Sequence, residues 1–230
     1  MIRLLIFTFS LLFFIQGSSF ASESSVDLYS HWRSSCSWRV RIALAVKSID
    51  YNYRGISSKA KTGEYCNLNP LGKVPTLRID GKVLSQSVAI IEYIDETRPE
   101  PSLYPKDPYQ RSLVRQVVQM IASDIQPLQN GAVLKDFPEG EDRDWAMKWI
   151  TKGLKGVEKM LVETAGVYCV GDELSAADLF LQPQLYNARL YGVDMTAFPI
   201  LCRIDETLSK NPAFQLAHPE AQPDFPSNQS

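Results

Sequence analysis

The chain has 230 residues, 45% hydrophobic and 22% charged, with a formal net charge of −2. That is enough apolar material for one large or two small domains, and the charge balance lacks the basic footprint of a nucleic-acid binder. Two histidines, His31 and His218, and four scattered cysteines, Cys36, Cys66, Cys169 and Cys202, match neither a metal-binding spacing nor a disulfide framework.

Arg3 precedes a charge-free apolar run over residues 4–15, and Ser19-Phe20-Ala21 then places small residues where a signal peptidase reads. This order predicts a secretory signal peptide over residues 1–21. The run is shorter than the ~20 residues a membrane span needs, so the mature chain is expected to have no membrane partner. The secretory pathway or the outside of the cell is the expected location. A cytoplasmic or mitochondrial protein is the alternative if the leader is not used.

Val26-Asp27-Leu28-Tyr29-Ser30 alternates and predicts a short strand. A turn over residues 31–37 leads to a helix over 38–47, set by Val40, Ala43, Leu44 and Lys47. Tyr51-Asn52-Tyr53-Arg54 predicts a second strand, and the polar segment 59–68 one short helix. Residues 74–79 predict a third strand, Asp80-Gly81 a hairpin turn, and Lys82-Val83-Leu84 the return. Gln86-Ser87 opens a helix that ends near Arg98-Pro99. The order predicts a four-stranded mixed sheet with helices on its faces.

Pro99, Pro101, Pro105 and Pro108 predict a linker over 99–108. Only helices are expected beyond it. Val114, Val117, Val118 and Ile121 form one stripe; Trp145, Trp149, Leu154, Val157 and Leu161 form another. Ser175-Ala176-Ala177-Asp178 has the form of a capping box before a helix over 179–191, and a last helix covers 200–208. The tail from Pro219 is expected to be loosely ordered. The predicted organisation is a leader 1–21, an α/β domain 22–98, a linker 99–108, an all-helical domain 109–218 and a tail 219–230.

Ser34-Ser35-Cys36-Ser37 falls where strand gives way to helix. Unpaired amides and the macrodipole at a helix N-terminus favour negative charge, and a thiolate is stabilised there. Taken alone, Ser34 is better explained as a helix cap; the full run Ser-Ser-Cys-Ser followed by Trp38 and Arg39 favours the thiolate reading. The run is not Cys-x-x-Cys, because Arg39 holds the second position, so no local dithiol cycle is available. Val74-Pro75 is open between an edge-strand proline and a cis bond that aims the preceding backbone at a ligand. Gln86-Ser87 is open between a helix cap and a second anion site. Together the three describe a thioredoxin-like domain arranged for a small thiol that carries a carboxylate.

With these residues in place, the chain resembles the zeta-class glutathione transferases, the family of maleylacetoacetate isomerase. The matching segments are Ser34-Ser35-Cys36-Ser37-Trp38-Arg39-Val40-Arg41-Ile42-Ala43-Leu44, Asn69-Pro70 with Val74-Pro75-Thr76-Leu77, residues 86–99, Ile125-Gln126-Pro127-Leu128-Gln129-Asn130, and Tyr168-Cys169-Val170-Gly171-Asp172. The resemblance spans residues 26–219. It implies the glutathione transferase fold, an α/β thioredoxin-like N-terminal domain plus an all-α C-terminal domain, in a homodimer. It also implies glutathione as cofactor. The γ-glutamyl carboxylate would lie at Gln86 and Ser87 and the cysteinyl backbone at Val74. The thiolate would meet Ser34, Ser35 and the Cys36 amide, with Ser37, Trp38 and Arg39 in the same run. Gln126 and Asn130 would approach from the helical domain. Catalysis falls to Ser34, Ser35 and Cys36, with Ser35 central and Cys36 confined to a side reaction.

The reaction so implied is the cis-trans isomerisation of maleylacetoacetate, a small-molecule substrate, to fumarylacetoacetate in phenylalanine and tyrosine breakdown. The alternatives are a transferase or dehalogenase acting on small α-halo acids or peroxides, and a secreted glutathione-binding protein without turnover. Three features depart from the family pattern. Residues 51–69 are several positions short, Gly131-Ala132 after Asn130 is atypical, and Arg189-Leu190 stands where the family has Glu-Arg. The last turns the arginine about 100° around a helix.

Overall fold

The computed structural model describes residues 25–57, 63–138 and 140–226. The predicted leader, residues 1–21, lies outside them, as do residues 59–62 of the polar segment. Strand β1 (Asp27–Ser30) leads into helix α1 (Ser35–Val46) and strand β2 (Asn52–Gly55). Helix α1 starts three residues before the apolar spacing predicts. The Ser34 hydroxyl accepts the Ser37 amide at 3.2 Å, which draws the polar Ser35, Cys36 and Ser37 into the first turn. A pattern of apolar residues has no means of registering such a cap.

The short helix expected in the polar segment is α2 (Glu64–Leu68). Strands β3 (Thr76–Ile79) and β4 (Lys82–Ser85) follow, joined by Asp80 and Gly81, both with positive φ (52° and 70°) as a primed hairpin turn requires. The sheet order is β2-β1-β3-β4, with β1 and β2 parallel and the other pairs antiparallel. Helix α3 (Ser87–Thr97) completes the unit. The residues after it are pinned down despite their prolines. Leu103 and Tyr104 are buried, and the Asp95 carboxylate accepts both the Leu103 amide at 2.8 Å and the Lys47 ammonium at 2.6 Å.

Helix α4 (Pro108–Gln119) runs into a π-helical stretch (Met120–Ile125) and a 3-10 turn (Gln126–Gln129). Then come α5 (Gly131–Leu134), α6 (Glu141–Thr164), α7 (Ala176–Leu190), α8 (Pro199–Ser209) and α9 (Pro212–Leu216). The predicted capping box is present: Ser175 donates its amide and hydroxyl to Asp178, whose other oxygen takes the Cys169 amide. Helix α7 is buried along most of its length and packs on α1, α4 and α8. One continuous core therefore joins Leu28, Leu77 and Ile90 of the first domain to Val114, Leu154 and Phe180 of the second.

The tail overturns an expectation. It is docked, not loose. After a 3-10 turn (Pro219–Ala221), Asp224 accepts the Tyr53 hydroxyl at 2.6 Å and the Trp32 amide at 3.1 Å. Phe225 packs edge-on against Trp32 with ring centres 4.9 Å apart. A composition rich in proline and polar residues hides these partners, which lie nearly the whole chain away; residues 227–230 are outside the described set.

Candidate active site

Sheet register decides what meets. Tyr29, near the end of β1, is opposite Thr76 at the start of β3, and Thr76 is opposite Ser85 at the end of β4. The segments running on from these three points are Ser34 to Ser37, Val74-Pro75 and Gln86-Ser87. They emerge at the same end of the sheet, so three motifs scattered over some fifty residues of sequence share one site.

The loop entering α1 is clamped from behind. Arg41 donates to the carbonyls of Ala217, His31 and Trp32 and to the Ser30 hydroxyl, at 3.0–3.2 Å. Burial pulls its pKa down to about 10, which leaves it charged at neutral pH. Asp224 holds the Trp32 amide. Ser34 then caps α1. Ser35, the first helical residue, is 5% exposed, and its hydroxyl makes no hydrogen bond within the described residues. Cys36 is half-buried, and no disulfide joins the four cysteines. Cys169 is buried, and burial together with Asp178 pushes its thiol well up, away from thiolate chemistry.

Ser37, Trp38 and Arg39 of the predicted set are interior, 0%, 2% and 1% exposed. Trp38 sits edge-on to Tyr186 and His218 at 5.4 and 5.1 Å. Arg39 Nη1 donates to Ser87 Oγ at 3.3 Å, which ties α1 to the start of α3.

Of the two readings of Val74-Pro75, the structure has the cis bond, and β3 lies between β1 and β4, not at an edge. Val74 stays outside the ladder of β3. Its approach is fixed by Tyr65, whose hydroxyl donates to the Lys73 carbonyl at 2.8 Å, and by Asn69, which donates to the same carbonyl at 2.6 Å. Gln86 takes positive φ (71°) and gives α3 no side-chain cap. The first amides of α3 thereby have no side-chain cap, and the buried Ser87 hydroxyl, which accepts from Arg39, still has its own proton to donate.

Gln126 and Asn130 are half-buried on the turn that follows the π-helical stretch. Asn130 spends its oxygen capping α5 through the Ala132 amide at 3.0 Å. The turn is fixed by Gln129, which donates to Gln184 at 2.8 Å, and by Trp145, which donates to the Leu128 carbonyl at 3.0 Å. No hydrogen bond links Gln126 or Asn130 to the first three segments among the described residues. Arg189 pairs with Asp205 at 2.7 Å, and Leu190 is exposed in the next position. Arg189 lines a cavity of about 370 Å3 with Trp38, Tyr186 and His218, on the side of α7 that meets α8. Among the described residues no cluster of His, Cys, Asp or Glu could hold a metal ion.

Sequence reasoning missed the supports: Trp32, Arg41 and Asp224. Arg41 had a usable signal, a charge in a helix with no polar face. Asp224 had none.

Residues 24–96 match the family model described as glutathione S-transferase, N-terminal domain. The maleylacetoacetate isomerase of Rattus norvegicus is 50% identical over 205 residues, 87% of this chain and 95% of the rat protein. The solved maleylacetoacetate isomerase of Anaeromyxobacter dehalogenans, with bound GSH in its active site, is 41% identical with a TM-score of 0.81, over 88% of this chain and 98% of that one. A solved maleyl pyruvate isomerase, a bacterial zeta-class glutathione S-transferase, is 35% identical with a TM-score of 0.83, over 86% and 99%.

Proposed function

This chain belongs to the maleylacetoacetate isomerase family of zeta-class glutathione transferases, and from that premise we propose that it isomerises maleylacetoacetate to fumarylacetoacetate with glutathione as cofactor. The observation that carries this is the pairing of two anion positions at one end of the sheet: Ser35 at the start of α1, and Ser87 at the uncapped start of α3. A thiol bearing a carboxylate fits both. Bound there, glutathione supplies a thiolate that adds to the cis double bond and leaves once the bond has rotated, so it is not consumed.

The chain's own residues do the rest. The first amides of α3 and the Ser87 hydroxyl take the carboxylate. The Val74 main chain, outside the ladder, is left to pair with a peptide. The positive end of α1 and the unpaired Ser35 hydroxyl stabilise negative sulfur. Ser34 accepts the Ser37 amide and keeps its own proton to donate.

The test is glutathione-dependent isomerisation of maleylacetone by the purified chain. Ser35→Ala is expected to lower kcat by about a hundredfold, whereas Cys36→Ala should retain most activity. Full activity in Ser35→Ala would sink the mechanism. One observation favours the second reading, a transferase or dehalogenase of small α-halo acids or peroxides: Arg189, displaced by one position from the arginine of the family pattern, is engaged by Asp205. Turnover of a halo acid without isomerisation of maleylacetone would select it.

The proposal extends to three finer points. The reaction would serve phenylalanine and tyrosine breakdown. The chain would act as a homodimer, which light scattering reads directly. The leader over residues 1–21 would direct export, which N-terminal sequencing of the native protein tests.

A further inference from the structure

Three buried cations lie near α1, and two of them are fully partnered. The Lys47 ammonium meets Asp95 at 2.6 Å, and Arg41 is filled with carbonyl and hydroxyl acceptors. Arg39 is different. It is 1% exposed and no carboxylate pairs with it among the described residues. Nη1 has Ser87 Oγ, the guanidinium carbon stands 4.4 Å from the centre of the Phe180 ring, and Nε and Nη2 have no partner. Taking a guanidinium out of water costs several kcal/mol unless hydrogen bonds and an anion compensate. The face of Phe180 offsets only part of that. Burial pulls the Arg39 pKa down, and the acidic group acting against that pull is the thiol of Cys36, within the proposed thiolate turn.

The polarity of the Ser87 bond gives the direction of the effect. A guanidinium only donates, so Ser87 Oγ is the acceptor and its own proton must point elsewhere. Ser87 stands at the first position of an eleven-residue helix that has no side-chain cap. We propose that Arg39 is a positioning residue of the carboxylate site: it acts through Ser87, aiming that hydroxyl's proton at the bound carboxylate, and its buried charge is compensated only when the anionic ligand arrives. This rests on the glutathione reading above and adds to it the reason the chain keeps an unneutralised cation in its core.

The test compares glutathione with an analogue that lacks only the γ-glutamyl α-carboxylate, both measured by isothermal titration calorimetry. The wild-type chain is expected to prefer glutathione. Arg39→Met removes the charge and keeps the bulk. It should weaken glutathione binding by about ten- to a hundredfold, the range for a hydrogen bond to a charged group, and leave the analogue unchanged. Its melting temperature without ligand should not fall, since an apolar residue replaces an unpaired charge. In the Ser87→Ala background the same substitution should cost less, because the two residues act as one unit.

Arg39→Lys covers the case in which Arg39→Met does not fold; its shorter side chain should reduce the preference for glutathione by a smaller factor. Equal loss of both ligands in either variant, or an unchanged preference, overturns the proposal and leaves the glutathione reading standing. A wild-type chain that binds no glutathione overturns that reading and this inference with it.

Discussion

Removing the Asp224 carboxylate should loosen the active-site loop from a distance. Asp224→Ala deletes two hydrogen bonds to a charged acceptor, from the Tyr53 hydroxyl at 2.6 Å and the Trp32 amide at 3.1 Å. Such bonds contribute about 1.5–3 kcal/mol each when buried. Both are only part-buried here, so a total of about 2 kcal/mol is the working figure. For a chain of this size that lowers the melting temperature by about 4–8 °C. The larger consequence is positional. Trp32 is two residues before the Ser34 cap, and a shift of ~1 Å in catalytic geometry can cost up to ~100-fold in rate.

Since Arg41 still holds the Trp32 carbonyl, a smaller loss, about tenfold in kcat/KM, is the expected result. Asp224→Asn keeps an acceptor for the tyrosine and should fall between wild type and Asp224→Ala. Steady-state kinetics with glutathione and maleylacetone, alongside a thermal melt, decide the matter. An Asp224→Ala chain with unchanged melting temperature and unchanged kcat/KM would refute the idea that the tail braces the site.

Arg98 and Tyr93 hold the Asp80 carboxyl down at about 2, from an ordinary 3.8. A depressed carboxylate contributes stability above its unfolded pKa and loses it as pH falls through the folded one. Urea midpoints should therefore drop between about pH 4 and pH 2, and Asp80→Asn should flatten that limb. Gly153 on α6 leaves no room for a Cβ, because the Ile125 side chain occupies the space. Gly153→Ala is expected to cost about 1–3 kcal/mol by overpacking, measured by denaturant unfolding, and to disturb the turn that carries Gln126. Asp178 is buried with three hydrogen bonds. Asp178→Ala should cost about 3 kcal/mol or more, and a variant within error of wild type would mean that other groups start α7.

What the sequence displays well is whatever is local. The alternation of β1, the Asp-Gly hairpin and the Ser-x-x-Asp box each compress into a few residues, so each is readable and each is present. The start of α1 is also local, but it is written in hydroxyl chemistry instead of apolar spacing, and the spacing puts it three residues late. The π-helical stretch before Gln126 packs Ile125 against Gly153 on α6, a contact distant in sequence, and its one local signal is Pro127, which cannot continue a regular α-helical ladder. The docking of Asp224 needs a partner 192 residues away. Compositional bias toward proline and polar residues points the other way.

Arg39 and Arg41 show the limit most sharply. They are the same residue type, two positions apart on one helix, and both are buried. Arg41 finds acceptors on all sides and works as a structural clamp. Arg39 finds one hydroxyl and one aromatic face. Since buried polar groups in folded proteins are nearly always satisfied, the unfilled one of the pair carries more functional information than the filled one. That difference lies entirely in what the rest of the chain brings to each side chain. The sequence run Trp38-Arg39-Val40-Arg41 thus marks the family, and only the fold separates the arginine that holds the loop from the arginine that awaits a ligand.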